Sequence, residues 1–431
     1  MIEHDEMLIA LQDSQEAETD MRSQARSAQL FVNKRDGQWE PEFWESNDNK
    51  PRYTFDLTSP IVDQVSGALD MANFSIKVSP AGGQASEDTA KILSGLIRNI
   101  ENLSYATDIY SAAGRNMVTA GIDGWRVVHK YVDSDSFNQD LVIEPIHNYV
   151  DRVWFDVSSE KRDRSDARFA FVLSGLSPKD YKKQYPEGSG QSVSEDRLAT
   201  AYFNKPDLIM VGEYYYIEQE KSDLVMMSSG QVLEDNEDFN TIKDELEAMG
   251  VTEVKRRTRM KDTVYVRKFD AQDWLGSKQK TVFSMIPVIP TYGNFRNVED
   301  KTLYFGVVEK LYDPQRVLNY SLSREIEEGA LAPRAKYWMT PKQASGHEDE
   351  LSTMNTNTDP VQFFNVDEAN PGIPQQNGGA QINPGLSRVS EGMRTMIGQS
   401  AGLFASNMGD NPGLQSGVAI KQLQNKGDIG T

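Results

Sequence analysis

The sequence predicts an α+β protein with more than one domain, and three observations support this prediction. The chain has 431 residues, enough for roughly two to four domains with cores of their own. Apolar residues recur at helical spacing in the N-terminal third and alternate with polar residues in the middle third. The last third returns to helical spacing in two segments, which are separated by a stretch rich in Pro, Gly, Asn and Gln.

The N-terminal third is predicted to form four helices. Residues 1–35 have a thin apolar stripe on an otherwise polar helix, and residues 54–72 form the second helix. Ser86 is a good N-cap for the third helix, which has a single apolar stripe. The fourth helix covers residues 106–120 and ends at Gly121, a favourable C-cap.

The middle of the chain is predicted to form short strands. They cover residues 125–132, 140–146, 152–155, 169–173, 208–218 and 263–269. Between the last two strands, the acidic segment 233–250 is expected to form a surface helix. Pro287, Pro290 and Gly293 are expected to break the regular structure.

The last third contains two helices, each with a cap-then-proline signal. Asp313–Pro314 lies inside the helical stretch 307–330, where the chain either starts a fresh helix or kinks. Asn383–Pro384 opens the second helix, which runs to about Ala401. Between them, only residues 335–339 and 361–366 resemble strands. A polar loop, 406–415, then leads into a helix-like run, 416–426.

The composition excludes several functional classes. The chain carries 65 Asp and Glu against 45 Lys and Arg, a formal charge of −20, so it is not a simple basic nucleic-acid binder. It has no cysteine, which removes disulfides, thiolate zinc sites and cysteine nucleophiles. The acidic start lacks a signal-peptide pattern, and no apolar run approaches the ~20 residues that cross a bilayer. We expect a soluble product of a reducing cytoplasm, with no membrane partner.

Catalytic patterns are weak. The P-loop, HExxH and GxSxG motifs are absent, and the four histidines are scattered along the chain. Asp133 and Asp135 have the spacing of a cation site, and Asp151 and Asp156 flank a short strand as paired carboxylates could. Solvated loop charge and turn capping explain both pairs more simply. We predict no cofactor, no metal and no catalytic residue. The alternative is a metal-dependent nuclease or hydrolase that uses these Asp and Glu clusters.

Basic residues cluster in one place. The cluster contains Lys255, Arg256, Arg257, Arg259 and Lys261, with Arg267 and Lys268 just beyond. It is interpreted either as a charged strand edge that pairs with the nearby acidic segment or as a subunit contact of complementary sign.

Three segments together resemble one protein family. They are VIEPIHNYVDRVWFDVSSEKRDRSDARFAF (142–171), the stretch from FSMIPVIPTYGNFR to YFGVVEKLYDPQRVLNYSLSREIE (283–327), and LQSGVAIKQLQNKG (414–427). The second contains Gly306, Asp313, Gln315, Asn319 and Ser323, the last four at helical intervals. The chain resembles the portal proteins of short-tailed, podovirus-type, double-stranded DNA bacteriophages. Another ring-forming head–tail connector is a third possibility, which its usual smaller size disfavours.

The resemblance implies a homo-oligomeric ring, usually a dodecamer, at one capsid vertex of the virion, made in the host cytoplasm. Such a ring passes double-stranded DNA without sequence preference and docks the terminase large subunit, scaffolding and coat protein, and tail adaptor or head-completion proteins. The implied domains are a wing (1–305), a descending stem helix (306–330), a clip (331–383), a returning stem helix (384–401) and a tunnel loop with its channel-lining helix (402–431). The resemblance also implies more wing, a crown or a barrel beyond Thr431.

The resemblance also suggests contact residues. A twelve-subunit ring would carry roughly −240, so DNA contacts are expected to be few. The candidates for DNA contact in the channel are Arg394, Asn407, Lys421 and Lys426, and the candidates for clip contacts are Arg334, Lys336 and Trp338. Support of the local fold, or contact with a neighbouring subunit, is the alternative role of these side chains.

Overall fold

The computed structural model describes residues 3–40, 42, 50–72, 76–81, 86–193, 208–299, 301–331, 336–353, 361, 363–377 and 383–402. Helices and antiparallel sheets are mixed along the chain, which confirms the α+β prediction. The chain divides into two compact units. Unit 1 comprises Met1–Gly37 with Ser59–Glu309, and unit 2 comprises Gln38–Thr58 with Lys310–Thr431.

The helices follow the predicted caps closely. They are α1 (His4–Asn33), α2 (Thr58–Met71), α3 (Glu87–Leu103), α4 (Ala106–Ala120), α5 (Tyr149–Arg152), α6 (Pro178–Gln184), α7 (Glu237–Ala248), α8 (Tyr312–Leu331), α9 (Pro341–Ala344), α10 (Glu348–Ser352) and α11 (Pro384–Ser400). Ser86 Oγ accepts the Asp88 N–H at 3.1 Å at the start of α3, and Gly121 ends α4 with a φ of 84°. A 3-10 segment, Val307–Leu311, precedes α8, so the chain starts a fresh helix beside Asp313–Pro314.

The strands form four antiparallel groups. They are β1 (Ile122–Tyr131), β2 (Gln139–Pro145), β3 (Val153–Phe155), β4 (Phe169–Leu176), β5 (Ile209–Met227), β6 (Val232–Glu234), β7 (Glu253–Phe269), β8 (Gln279–Lys280), β9 (Val288–Tyr292), β10 (Asn294–Val298), β11 (Lys301–Phe305), β12 (Lys336–Trp338) and β13 (Gln375–Asn377). The orders are β2-β1-β9, β10-β11, β12-β13 and β3-β4-β5-β7-β8, with β6 paired to β5.

Two sequence-based predictions of local structure are wrong. The predicted break at Pro287–Pro290 is instead the strand β9, with Pro290 opposite Gly124. In the described sheet β9 is an edge strand, where a missing N–H is tolerated. The predicted strand 361–366 is not a strand over its described residues. There the Asn365 N–H binds the Gln343 carbonyl at 3.1 Å in place of a ladder.

The core of unit 1 covers both faces of the largest sheet. One cluster contains Met21, Ala25, Val153, Phe155, Ala170, Val172, Tyr215 and Val264. The other contains Met7, Leu11, Trp154, Phe171, Leu173, Tyr214 and Phe269. Adjacent strand residues alternate between the two clusters, as the pleat requires. Since α1 contributes to both clusters, it fixes this sheet from the N-terminus of the chain.

Arg22 of α1 is 4% exposed, and its guanidinium binds the short helix α5 and the first residue of β3. It donates to the carbonyl oxygens of Val150 (2.8 Å) and Val153 (2.7 Å) and to the Glu18 carboxylate (2.6 Å). A buried charge needs such partners, because leaving it unpaired costs several kcal/mol. No helix in the described parts of the chain is long and apolar enough to cross a membrane.

Candidate functional site

The acidic pair Asp133 and Asp135 lies in the exposed turn between β1 and β2. Asp133 Oδ1 accepts the Asp135 N–H at 2.8 Å, and Ser134 Oγ lies 3.4 Å from Asp135 Oδ1. An Asp that binds the backbone two residues ahead is a common way to stabilise a turn. The carboxylates of this pair therefore have a local structural role.

Asp151 and Asp156 point to different partners. Asp151 is buried and paired with Arg26 of α1. Asp156 accepts hydrogen bonds from Ser158 N–H (2.9 Å), Ser158 Oγ (2.7 Å) and the Arg168 N–H (3.2 Å), so it caps the turn after β3. Among the described residues, no three Asp, Glu or His side chains come together in a way that could hold a metal ion. The hydrolase alternative is not favoured.

The first family-like segment, residues 142–171, contains a loop between β3 and β4 that is fixed by hydrogen bonds. Asp166 accepts from Ser159 Oγ (2.6 Å) and from two backbone N–H groups (2.8 and 3.1 Å), and these bonds lower the pKa of its carboxyl to about 2. Arg164 has a left-handed φ of 54° and donates to the Tyr292 hydroxyl at 3.1 Å. This segment acts as scaffold, and its charged side chains hold the loop to β9.

The second segment includes a glycine, Gly306, at a position where no side chain fits. A Cβ atom on Gly306 would lie 2.2 Å from the Thr119 carbonyl oxygen at the end of α4. A Cβ on Gly121 would lie 2.4 Å from the backbone of Phe305, and the Gly293 N–H binds the Gly121 carbonyl at 2.9 Å. Three backbone segments meet here without side chains between them.

Three side chains of α8 in the second segment bind an extended stretch, residues 53–57, that we call the strap. Ser323 Oγ accepts the Tyr53 N–H (3.0 Å), Asn319 Oδ1 accepts the Phe55 N–H (2.8 Å) and Gln315 Oε1 accepts the Leu57 N–H (3.2 Å). Four helical residues rise about 6 Å and two extended residues about 6.6 Å, so the two repeats match. The strap therefore runs antiparallel to α8.

We call these three hydrogen bonds the ladder, and it is buried in unit 2. Gln315 and Asn319 are both 0% exposed. Asn319 Nδ2 also donates to Gln38 Oε1 (2.8 Å), and Gln315 Nε2 donates to the Phe55 carbonyl (2.8 Å). Because each buried amide has partners for its donors and its acceptor, the ladder avoids the penalty of unsatisfied polar groups.

Helices α8 and α11 form an antiparallel pair. Ser387 Oγ donates to Glu325 Oε1 (2.6 Å), and the Asn383 N–H donates to Glu328 Oε2 (3.3 Å), so residue numbers rise on one helix as they fall on the other. Asn383 Oδ1 caps α11 by accepting the Gly385 N–H at 2.9 Å. The pair brackets the segment 331–383, whose two described strands, β12 and β13, are antiparallel neighbours.

The bracketed segment is held by polar groups. Gln343 is 4% exposed and donates to the Gly372 carbonyl (2.8 Å). Thr340 and Gln343 form a capping box at α9, and Thr340 Oγ1 binds Asp367 (2.9 Å), which lowers the pKa of that carboxyl. Large apolar side chains instead face solvent here. They are Trp338, Val361, Phe363, Phe364, Val366 and Ile373.

The structure describes only some of the predicted contact residues. Arg394 is exposed on α11, and Trp338 on β12 is 71% exposed. Lys336 lies on β12 two residues before Trp338. Arg334, Asn407, Lys421 and Lys426 lie outside the described residues, as do the predicted tunnel loop and channel-lining helix.

The basic cluster lies on the distal half of β7, in a segment that we call the arm, residues 218–261. Beyond Ile217, β5 pairs only with β6 and β7 in the described structure. Lys261 binds Glu234 Oε2 (2.8 Å), and Arg256 is paired with Asp235. The predicted pairing with the acidic segment is therefore present, although only some of the basic residues take part.

Sequence reasoning missed the strap and the buried Arg22. The spacing of Gln315, Asn319 and Ser323 was a signal that could have revealed the strap. Polar side chains four residues apart lie on the same face of a helix, so they can bind one neighbouring segment. Arg22 gave no signal, since its three carbonyl partners lie more than 120 residues away in the chain.

Two comparisons with known proteins were informative. The sequence profile of the family described as "Phage P22-like portal protein" matches residues 9–431. A curated relative, named "Portal protein", of Acyrthosiphon pisum secondary endosymbiont phage 1 is 26% identical over 334 residues. That alignment covers 74% of this chain and 46% of the relative, so the chain spans about half the length of the curated relative it matches.

Proposed function

The chain belongs to the family of P22-like phage portal proteins, and on this premise we propose that it is a subunit of the ring through which the phage genome enters and leaves the capsid. A portal protein is a component of the phage virion and a head–tail connector. The ring would hold about twelve copies at one capsid vertex, pass double-stranded DNA and dock the packaging motor and the tail. Its oligomeric state and each of these partners are part of the proposal.

The observation that carries this proposal is the antiparallel pair α8 and α11 with the segment 331–383 between its ends. In a ring, such a pair suits a strut that leads to a small terminal domain and back. The proposed domains are the wing (1–305), the stem helices (306–330 and 384–401), the clip (331–383) and the tunnel segment (402–431). The strap adds residues 53–57 to the support of the descending stem helix.

The clip is proposed to acquire its core by assembly. Polar groups make its described hydrogen bonds, and six large apolar side chains among its described residues, Trp338 among them, are exposed. Short strands of this kind are marginal alone and gain stability when other chains cover them. The neighbouring subunit, the terminase large subunit or a tail adaptor protein would cover these side chains. Scaffolding and coat protein would meet the wing.

Deletion of the clip, residues 331–383, is expected to abolish binding of the terminase or the tail adaptor and to leave a soluble wing. The reason is that exposed apolar side chains concentrate in the clip while the unit 1 core lies elsewhere. Pull-down with purified terminase and adaptor measures this. A Trp338→Ala variant serves as a milder version. Undiminished binding by the deletion would refute the clip assignment.

The channel is proposed to contact DNA sparsely. A net charge of −20 per chain repels phosphate, which favours passage over tight binding. Arg394, Asn407, Lys421 and Lys426 are the proposed contacts, each without base readout.

Native mass spectrometry with negative-stain imaging of the purified chain tests the ring itself. Closed rings of about twelve copies with a central channel are the expected result. A chain that stays monomeric at every concentration, or that forms only small open oligomers, contradicts the proposal.

A further inference from the structure

The arm has two faces of opposite charge. On β7, Lys255, Arg257, Arg259 and Lys261 alternate with their neighbours and so lie on one face of the ribbon. The ion pairs agree with this placement, since Arg259 (3.7 Å) and Lys261 (2.8 Å) both reach Glu234, whereas Arg256 binds Asp235 on the other side. Two acidic residues, Glu220 and Glu234, share this face with the four basic ones. We call it the basic face.

The opposite face of the ribbon is covered by α7. Val225 (0% exposed) and Met227 (2%) pack against Phe239 (3%), with Leu233 and Leu246 beside them. The sequence of α7 contains five acidic residues and one lysine. They are Glu237, Asp238, Asp244, Glu245, Glu247 and Lys243. Of these, Glu245 and Glu247 are exposed. The arm therefore presents a basic face and an acidic helix on its two sides.

The basic face is accessible and only partly neutralised. Lys255 and Arg257 are exposed, and neither forms an ion pair with another described residue. Val232 on the same face is 55% exposed, and Leu224 and Met226, opposite Arg257 and Lys255, are half-buried. A protein interface typically combines arginine, methionine and aliphatic side chains with charges around them, and a solvated strand edge does not.

From this arrangement, and resting on the proposed ring, we infer that the basic face of one arm binds the acidic helix α7 of the next copy of the chain. Copies with a charge of −20 repel each other, so contact requires a local patch of the opposite sign. A contact between two different faces is heterologous, and repetition of a heterologous contact generates rings. A separate acidic partner would need only the basic face and would leave the acidic helix on the other side unexplained.

Charge reversal tests the contact in the whole chain. The variant Lys255→Glu/Arg257→Glu makes both sides of the arm acidic, and Glu245→Lys/Glu247→Lys removes the net negative charge of α7. Each variant alone is expected to associate at least tenfold more weakly than the wild type, as measured by native mass spectrometry and light scattering, because the first places like charges opposite each other and the second removes the attraction to the basic face. Mixed in equal amounts, the two variants are expected to assemble as an alternating 1:1 oligomer.

The matched control is Lys179→Glu/Lys183→Glu on α6, which changes the net charge equally on exposed residues away from the arm. It is expected to assemble like the wild type. Circular dichroism and thermal unfolding verify that each variant folds. If the wild type assembles and the basic-face variant assembles equally well, the arm contact is wrong while the ring proposal stands. If the wild type never assembles, the ring proposal itself fails.

Cysteine cross-linking gives a second readout, because the chain has no cysteine of its own. Chains with Arg257→Cys and chains with Glu245→Cys are expected to form a disulfide-linked dimer only when mixed. A bridge within one chain is excluded because each variant chain contains only one cysteine. Cross-linking of Arg257→Cys chains to each other, without the second variant, would overturn the heterologous contact.

Discussion

At the scale of single residues, two positions in the family-like segments are explained by their packing and their hydrogen bonds. Gly306 is needed because the end of α4 approaches its backbone, and Asp166 is needed because its carboxylate holds a loop. Asp123, which lies outside the family-like segments, is also held by hydrogen bonds. It lies on β1, 6% exposed, where it accepts from Asn116 Nδ2 (2.6 Å) and the Gly124 N–H (2.8 Å).

The substitution Gly306→Ala is expected to lower the free energy of unfolding by about 1–3 kcal/mol, because its Cβ would overlap the Thr119 carbonyl oxygen and force the backbones apart. Gly392→Ala on α11 is the matched control, since no described atom lies within 4 Å of its Cβ. That control should be neutral or up to about 1 kcal/mol stabilising, because Ala favours a helix interior. Chemical denaturation measures both. Equal effects of the two substitutions would contradict the close approach.

Burial raises the pKa of Asp123 to about 7, and the hydrogen bonds from Asn116 and Gly124 only partly oppose this. The folded chain thus holds this proton more tightly than the unfolded chain, whose Asp titrates near 4. The free energy of unfolding should therefore fall as pH rises from about 4 to about 7, by up to about 4 kcal/mol. In Asp123→Asn this part of the fall should disappear. Parallel stability–pH profiles for the two proteins, measured by urea denaturation, would refute this prediction.

At the scale of elements, the strap and α8 form one structural unit although about 260 residues separate them in the chain. The ladder works because an extended chain and a helix share a repeat of about 6 Å. α11 pairs with the same helix through Ser387 and Glu325. α8 therefore has the strap and α11 as its described partners in unit 2.

The substitution Asn319→Ala should destabilise unit 2 by about 2–4 kcal/mol, since it removes the partner of the partly buried Phe55 N–H and of the buried Gln38 side-chain oxygen Oε1. Ser323→Ala, which removes a partly exposed contact with Tyr53, should cost about 1 kcal/mol. Amide exchange at Phe55 should accelerate in the Asn319 variant and much less in the Ser323 variant. Unchanged exchange at Phe55 would show that the ladder does not hold the strap.

At the scale of the whole molecule, charge sets the expectation for function. On the proposed function, a chain of charge −20 would have to match its few basic patches to acidic ones in order to assemble, and would pass DNA without holding it. The arm addresses the first requirement and the proposed channel residues the second. These two roles use different lysines, so variants can separate them.

Reversal of Lys421 and Lys426 to Glu is expected to reduce DNA packaging or retention and to leave assembly unchanged, because added negative charge in the proposed channel would repel phosphate. Packaged DNA per capsid is the measurement, and ring formation by imaging is its control. Arg394→Glu provides a third position, on α11, the proposed returning stem helix. Normal packaging by the Lys421/Lys426 double variant would remove these lysines from the mechanism.

The sequence by itself determined the helices, most of the strands and the family. Caps such as Ser86, Gly121 and Asn383 act within a few residues, and the alternation of apolar residues is likewise local, so a linear pattern contains them. Only the tertiary structure decided what depends on distant partners. Pro290 lies in a strand because β1 pairs with it. Arg22 is buried because three carbonyl groups far away in the chain accept its hydrogen bonds. Gln315 and Asn319 are core residues because the strap covers them. Burial and pairing across hundreds of residues are properties of the folded chain, and local periodicity does not record them.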